Sequence, residues 1–305
     1  MDITYIPFEQ GQVKLDWSGL TNALAQGHLF PKAEIADTFL YRDPDTLLSR
    51  SAWIAGLGLA VKSATVFPKN TEKGRPLING AVSLFSDSDG TLEALVDFHL
   101  VTKWKTAGDS LLAASRLARK DSQHILIVGA GTVGRSLRHA YGSLFPQARF
   151  TVWNRSVKNA EKMASEYAGM EVAYDLPKAV GKADIITCAT MSTEPVLQGE
   201  WLRPGQHIDL IGAYRPDMRE ADDTAILRAR IFVDSYATTV THIGDIKTPI
   251  DSEVISQSDI VADYYEPEKF TRLSDDDITL FKNGGGAHMD LMTARYILNR
   301  WTGSE

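Results

Sequence analysis

Glycines 129, 131 and 134, in the run Gly-Ala-Gly-Thr-Val-Gly, are spaced G-x-G-x-x-G directly after the apolar segment His124 to Val128. Glycines so placed permit a tight turn and let a pyrophosphate approach the N-terminus of the following helix, with Thr132 and Val133 in its first turn. The spacing, set between a strand and a helix, implies a nicotinamide dinucleotide. NAD-selective folds put an acidic residue on the ribose hydroxyls about 20 residues further on. Here the second apolar run ends in Trp153-Asn154-Arg155-Ser156, without a carboxylate. Asn154 could bond the ribose while the Arg155 guanidinium stacks on adenine or grips a 2′-phosphate with two donors, which favours NADPH over NADH. An arginine merely solvated at a strand end is the other reading. Thr190, and Ile211 with Gly212, end later apolar runs and are further cofactor candidates, because open α/β sheets bind ligands at the carboxyl ends of their strands. No metal is expected: the histidines at 28, 99, 124, 139, 207, 242 and 288 show no HxH or HxxxH spacing, and Asp275 to Asp277 reads as the solvated start of a helix.

The elements that must position these groups follow from periodicity. HILIV at 124–128 is a short continuous apolar run, as in a parallel strand buried on both faces. Similar runs at 149–153, 183–189, 207–212 and 231–234 alternate with helix-like stretches. The pattern describes a Rossmann-type, doubly wound α/β nucleotide domain over 119–284. Residues before it differ: a short helix near Trp17 to Gln26, then extended segments at 38–41, 58–67, 80–85 and 92–98, the last two joined by the turn Ser-Asp-Ser-Asp-Gly at 86–90. Lys105 to Ala118 reads as a helix, and the glycines at 284–286 open another whose Met289, Met292, Tyr296 and Ile297 share a face. We expect this last helix to pack back on the first segment, giving a discontinuous α+β substrate-binding and dimerisation domain of 1–118 with 285–305.

Composition narrows the partners. A chain of 305 residues, 44% hydrophobic, with a net charge of -7, has the length for two cores and lacks the basic surplus that nucleic acid or anionic membrane would require. No run of about 20 apolar residues is present, and the opening residues lack a basic-then-apolar signal layout. A cytoplasmic protein acting on a small molecule is expected. Cys188, the only cysteine, excludes an intrachain disulfide and reads as a buried strand thiol.

Four segments, in order, resemble the ornithine cyclodeaminase/mu-crystallin family from about Gly58 to the last helix. They are Lys62 in Ala-Val-Lys-Ser-Ala-Thr-Val-Phe-Pro-Lys-Asn; Trp104-Lys105-Thr106-Ala107 before the glycine motif; Glu200 to His207 with Ile211-Gly212-Ala213 and Arg215-Pro216; and Asp277 to Lys282 before the glycines. The resemblance implies a homodimer. It makes Lys62 and Lys105 the cationic contacts of the substrate and puts Thr106 near the cofactor phosphates or the substrate. Lys105 stands where the family commonly has arginine, so it offers a point charge rather than a fork. Arg50 is a third candidate for the substrate carboxylate, with a surface role as its alternative. For Lys62 the alternative is an edge-strand lysine kept for solubility.

One departure bears on the activity. Cyclodeaminases that the chain resembles carry an aspartate after Gly212-Ala213, whereas this position is Tyr214. Without that carboxylate the handling of a second amine loses its agent, while reduction of a cyclic imine remains possible. The expected reaction is NAD(P)H-dependent reduction of 1-pyrroline-2-carboxylate or 1-piperideine-2-carboxylate to L-proline or L-pipecolate, with the carboxylate on Lys105 and Lys62 and the proton from Lys62, Tyr214 or water. Ornithine cyclodeamination, an open-chain amino-acid dehydrogenase, and a non-catalytic NADPH-dependent binding protein of mu-crystallin type stand as alternatives.

Overall fold

Alternate residues of Gly58–Val66, namely Gly58, Ala60, Lys62 and Ala64, are buried, and this strand sits in the middle of a six-stranded sheet. In the computed structural model, which describes residues 3–304, the chain divides into two units, Met1–Lys105 with Gly286–Glu305 and Thr106–Gly285. The sheet of the first unit runs β1 (Thr4–Ile6), β6 (Leu92–Asp97), β5 (Ile78–Phe85), β4 (Gly58–Val66), β3 (Asp45–Ile54), β2 (Glu34–Arg42). Its pairs are antiparallel except β1 with β6. The C-terminal helix, Ala287–Thr302, lies across β3, β4 and β5 and against the helix Trp17–Gly27. It buries Met289, Met292, Tyr296 and Ile297, the face read from the sequence.

The strand β3 is not separated in the sequence reading. Thr46, Ser49, Arg50 and Ser51 dilute its apolar pattern, and only the tight link between Arg42 and Asp45 marks its start. The edge strand β2 exposes all nine of its residues. A 20-residue helix, Phe98–Leu117, follows β6, and the division of the chain falls inside it, after Lys105, earlier than the boundary at 118 expected from sequence. Its first half belongs with the sheet just described, where Trp104 stacks on Trp17 with ring centroids 4.0 Å apart.

The second unit is an eight-stranded, wholly parallel sheet of Rossmann type. Its strands are β7 (His124–Val128), β8 (Arg149–Trp153), β9 (Glu171–Val172), β10 (Ile185–Cys188), β11 (His207–Leu210), β12 (Arg230–Val233), β13 (Ile260–Ala262) and β14 (Thr279–Lys282), in the order β13-β12-β14-β11-β10-β7-β8-β9. Strand β7 pairs on both sides, and Ile125 to Val128 are buried, which accounts for its unbroken apolar run. From β7 the chain winds to β8 and β9 on one side and to β10 and β11 on the other. The reversal opens a crevice beyond the carboxyl ends of β7 and β10. Cys188 ends β10 and is fully buried. The short strands β9, β13 and β14 are absent from the sequence reading. The last of these inserts between β11 and β12 although it comes latest in the chain.

Candidate active site

The crevice of the parallel unit encloses about 460 Å³. It is lined by the turn after β7 (Gly129, Ala130, Gly131), the end of β8 and the loop after it (Trp153, Asn154, Arg155, Ser156), and the loop after β10 (Ala189 to Ser192). Gly129 has φ of +118°, and a Cβ on Gly134 would stand 2.1 Å from the Gly129 carbonyl oxygen, so helix and turn meet only because both are glycine. A Cβ on Gly131 would instead point into open space, and no side chain caps the helix Thr132–Leu144 that Gly131 begins. An uncapped N-terminus beside open space suits the pyrophosphate of a dinucleotide. Asn154 ties the rim together: its Oδ1 accepts from Ala130 N at 3.1 Å and its Nδ2 donates to Ser156 O at 3.0 Å. Among the described residues, Arg155 is the one charged side chain lining the crevice.

A buried carboxylate fixes the floor. Glu220 Oε1 accepts from Thr190 N (2.7 Å) and Thr190 Oγ1 (2.8 Å), and Oε2 accepts from Gly212 N (2.6 Å) and Ala213 N (3.3 Å). The loops after β10 and β11 thus share one anchor. They also touch directly, since a Cβ on Gly212 would lie 1.7 Å from the Thr190 carbonyl oxygen. Asp245 accepts from Glu220 N at 2.7 Å and pairs with the buried Lys282 at 3.0 Å. Burial, and then the Asp245 carboxylate, push Glu220 above the usual carboxylate range, while Lys282 and the Thr190 donors pull it back.

The first unit carries a second constellation. One cross-strand row of the sheet reads Asp37, Arg50, Lys62 and Val82 across β2, β3, β4 and β5. Lys62 shares the buried side of β4 with Ala60 and Ala64, in a strand paired on both sides, so it is not an edge lysine. Its Nζ donates to Asp290 Oδ1 (2.9 Å) and Thr102 Oγ1 (2.9 Å) and lies 4.6 Å from the centre of the Phe98 ring. Lys105 Nζ reaches the same Asp290 oxygen at 3.6 Å. Burial lowers Lys62 to about 8, with Lys105 and Arg50 adding to the fall and Asp290 opposing it. Burial alone would raise Asp290, yet Lys105 and Lys62 hold it below the usual carboxylate range. The His288 imidazole is held neutral by burial, His28 and Lys105. Two ammonium groups on one buried carboxylate can receive an acid's carboxylate, and Lys62, lowered to about 8, can give up a proton near neutrality.

Two such constellations in one chain invite comparison with known proteins. The model of the ornithine cyclodeaminase/mu-crystallin family matches residues 52–305. The chain belongs to this family. Among curated relatives, the Delta(1)-pyrroline-2-carboxylate reductase of Paracoccus denitrificans is 48% identical over 301 residues, covering 96% of this chain and 95% of its own. Among solved structures, the Delta(1)-pyrroline-2-carboxylate reductase of Thermococcus litoralis in complex with NADH and L-proline superposes with a TM-score of 0.90 at 27% identity, over 99% of this chain and 98% of its own. An archaeal alanine dehydrogenase dimer with bound NAD gives 0.90 at 26% identity, over 99% and 97%.

For an ornithine cyclodeaminase/mu-crystallin family member, the expected residues fall as follows. Lys62 and Lys105 come together. Arg50 is the cross-strand neighbour of Lys62, but its guanidinium holds Asp37 at 2.8 Å. Gly129, Gly131, Asn154, Arg155 and Thr190 line the crevice; Thr132, Val133 and Gly134 form the helix start beside it. Ile211 and Gly212 sit on the adjoining loop, behind Thr190, and Thr106, whose carbonyl accepts from Asn283 Nδ2 at 3.0 Å, is not among the lining residues. Tyr214 is 58% exposed, with Arg215 over its ring at 5.7 Å. Sequence reasoning missed Glu220 and Asp290. The first follows Arg219 in a loop with no periodicity, and the second sits in the apolar face of the last helix, where a lone carboxylate flanked by methionines was itself the signal.

Proposed function

We infer that this chain is an NAD(P)H-dependent oxidoreductase of C=N bonds that reduces 1-pyrroline-2-carboxylate or 1-piperideine-2-carboxylate to L-proline or L-pipecolate. The carrying observation is the pair of buried ammonium groups, Lys62 and Lys105, on one carboxylate. The 48% identity to a Delta(1)-pyrroline-2-carboxylate reductase over nearly the whole chain supports the same reaction. In this reading the unit Met1–Lys105 with Gly286–Glu305 binds the imino acid and the unit Thr106–Gly285 binds the cofactor.

Lys62 and Lys105 take the substrate carboxylate. Bound NAD(P)H supplies the hydride. Lys62, lowered to about 8, would pass a proton to the imine nitrogen, and solvent would then reprotonate the lysine. Positioning and fixed charge do most of the work, and no covalent intermediate is needed. Tyr214 replaces a carboxylate, and Asp217 in the same loop is held by Arg215 at 2.8 Å, which leaves an additional substrate ammonium without an acidic partner there. Arg155, with no acid beside it in the crevice, favours NADPH. We place the protein in the cytoplasm as a homodimer, with the exposed β2 and the exposed Leu47 and Trp53 of β3 offering apolar surface. Among the described residues no helix is long and apolar enough to cross a membrane.

The test is NADPH oxidation, followed by absorbance, with each cyclic imine, beside ammonia release from ornithine. Oxidation with an imine and none with ornithine is expected. Proline and ammonia from ornithine would overturn the reading.

A further inference from the structure

Asp290 is 1% exposed and carries no hydrogen bond on its Oδ2 among the described residues, while its Oδ1 meets Lys62 at 2.9 Å and Lys105 at 3.6 Å. Lys62 and Lys105, themselves 6% and 8% exposed, come from different elements, β4 and the helix Phe98–Leu117. Two like charges would not settle side by side in a buried place without an anion between them. We propose that Asp290 is a positioning residue, shared by Lys62 and Lys105 so that both stay charged and adjacent as a seat for one substrate carboxylate.

This rests on the imine-reductase reading and deepens it. Two cations on one anion leave a single positive charge in excess. The groups that bear on Lys62 do not change the count: on β3, Arg50 is matched by Asp37; on the C-terminal helix, His288 is neutral; the contacts Thr102 and Phe98 are uncharged; on β5 the cross-strand partner is Val82. A monocarboxylate with an uncharged nitrogen cancels that excess. A diamino acid, whose net charge is positive, adds to it. The substrate class favoured by the cluster is therefore the single-carboxylate imino acid.

The experiment measures binding of furan-2-carboxylate, a planar acid with no titrating ring atom, by calorimetry from pH 6 to 10. The protein is saturated with NADP⁺. For the unsubstituted chain the dissociation constant is expected to weaken about tenfold between pH 7 and 9, as Lys62 loses its proton near 8. Asp290→Asn removes the anion that supports the Lys62 charge, so the weakening moves to lower pH. Lys105→Met frees Asp290 for Lys62 alone, so it moves to higher pH. Opposite displacements are the expected result, and a merely structural role for Asp290 would not produce them. If Asp290→Asn does not fold, judged by circular dichroism and its thermal transition, Lys105→Met alone decides: an unmoved profile overturns the proposal. Turnover of 1-pyrroline-2-carboxylate is followed in parallel. Opposite displacements without turnover would uphold the shared carboxylate and sink the reductase reading; turnover with unmoved profiles would do the reverse.

Discussion

At the end of β8 a ribose 2′-phosphate would meet Arg155, Ser156 and Asn159 and no carboxylate, because the position that commonly holds an acid is Asn154, already engaged with Ala130 and Ser156. A charge-assisted contact of this kind contributes about 1.5–3 kcal/mol. Arg155→Gln is therefore expected to lower the preference for NADPH, measured as the ratio of kcat/KM for NADPH and NADH, by roughly 10- to 100-fold. An unchanged ratio would make Arg155 a solvated surface residue. At this scale, position is legible where a residue lies next to a strand end, as the glycines, Arg155 and Thr190 do at or beside the crevice. Asp290 was not legible, because its meaning depends on Lys62, 228 positions away in the chain. Its helix could be read for an apolar face, but not for which position of that face would meet a cation.

The loops after β10 and β11 are held as one piece by Glu220, whose two oxygens accept four donors. An amide in its place turns one acceptor into a donor facing another donor, which costs about 1–3 kcal/mol. Glu220→Gln should therefore weaken cofactor binding about tenfold or more by fluorescence titration, with furan-2-carboxylate binding less affected. Equal binding of NADPH by the variant would mean that backbone contact alone keeps these loops in place. The strand reading succeeded for β7, β8, β10, β11 and β12, whose residues are mostly buried and apolar. It missed β14, a four-residue strand that ends in the charged Lys282. In the fold that lysine is fully buried because Asp245 meets it at 3.0 Å and Leu210 O accepts from it at 3.1 Å. The split of the helix Phe98–Leu117 was illegible for a related reason: periodicity marks a helix, not which core each of its turns joins.

Taken whole, the chain leaves a nine-residue edge strand, β2, exposed along its length, including Phe39, Leu40 and Tyr41. Natural sheets seldom leave such an edge uncovered. Leu40→Asp combined with Tyr41→Asp puts a charge on each face of β2, since adjacent strand residues point opposite ways. The proposed homodimer should then dissociate at micromolar concentration in sedimentation velocity; a double variant that sediments like the unsubstituted protein would move the dimer contact elsewhere. Cys188 lends itself to a different use. Burial raises its thiol well above the ordinary value, and β10 gives solvent no access to it. As the chain's only cysteine, it can react with a thiol reagent only when the parallel sheet opens, so the labelling rate is a clock for that opening. A cofactor that binds only the closed form should slow the clock by a factor of about 1 + [L]/Kd, which makes an ordinary colorimetric thiol assay a readout of NADPH affinity that requires no turnover.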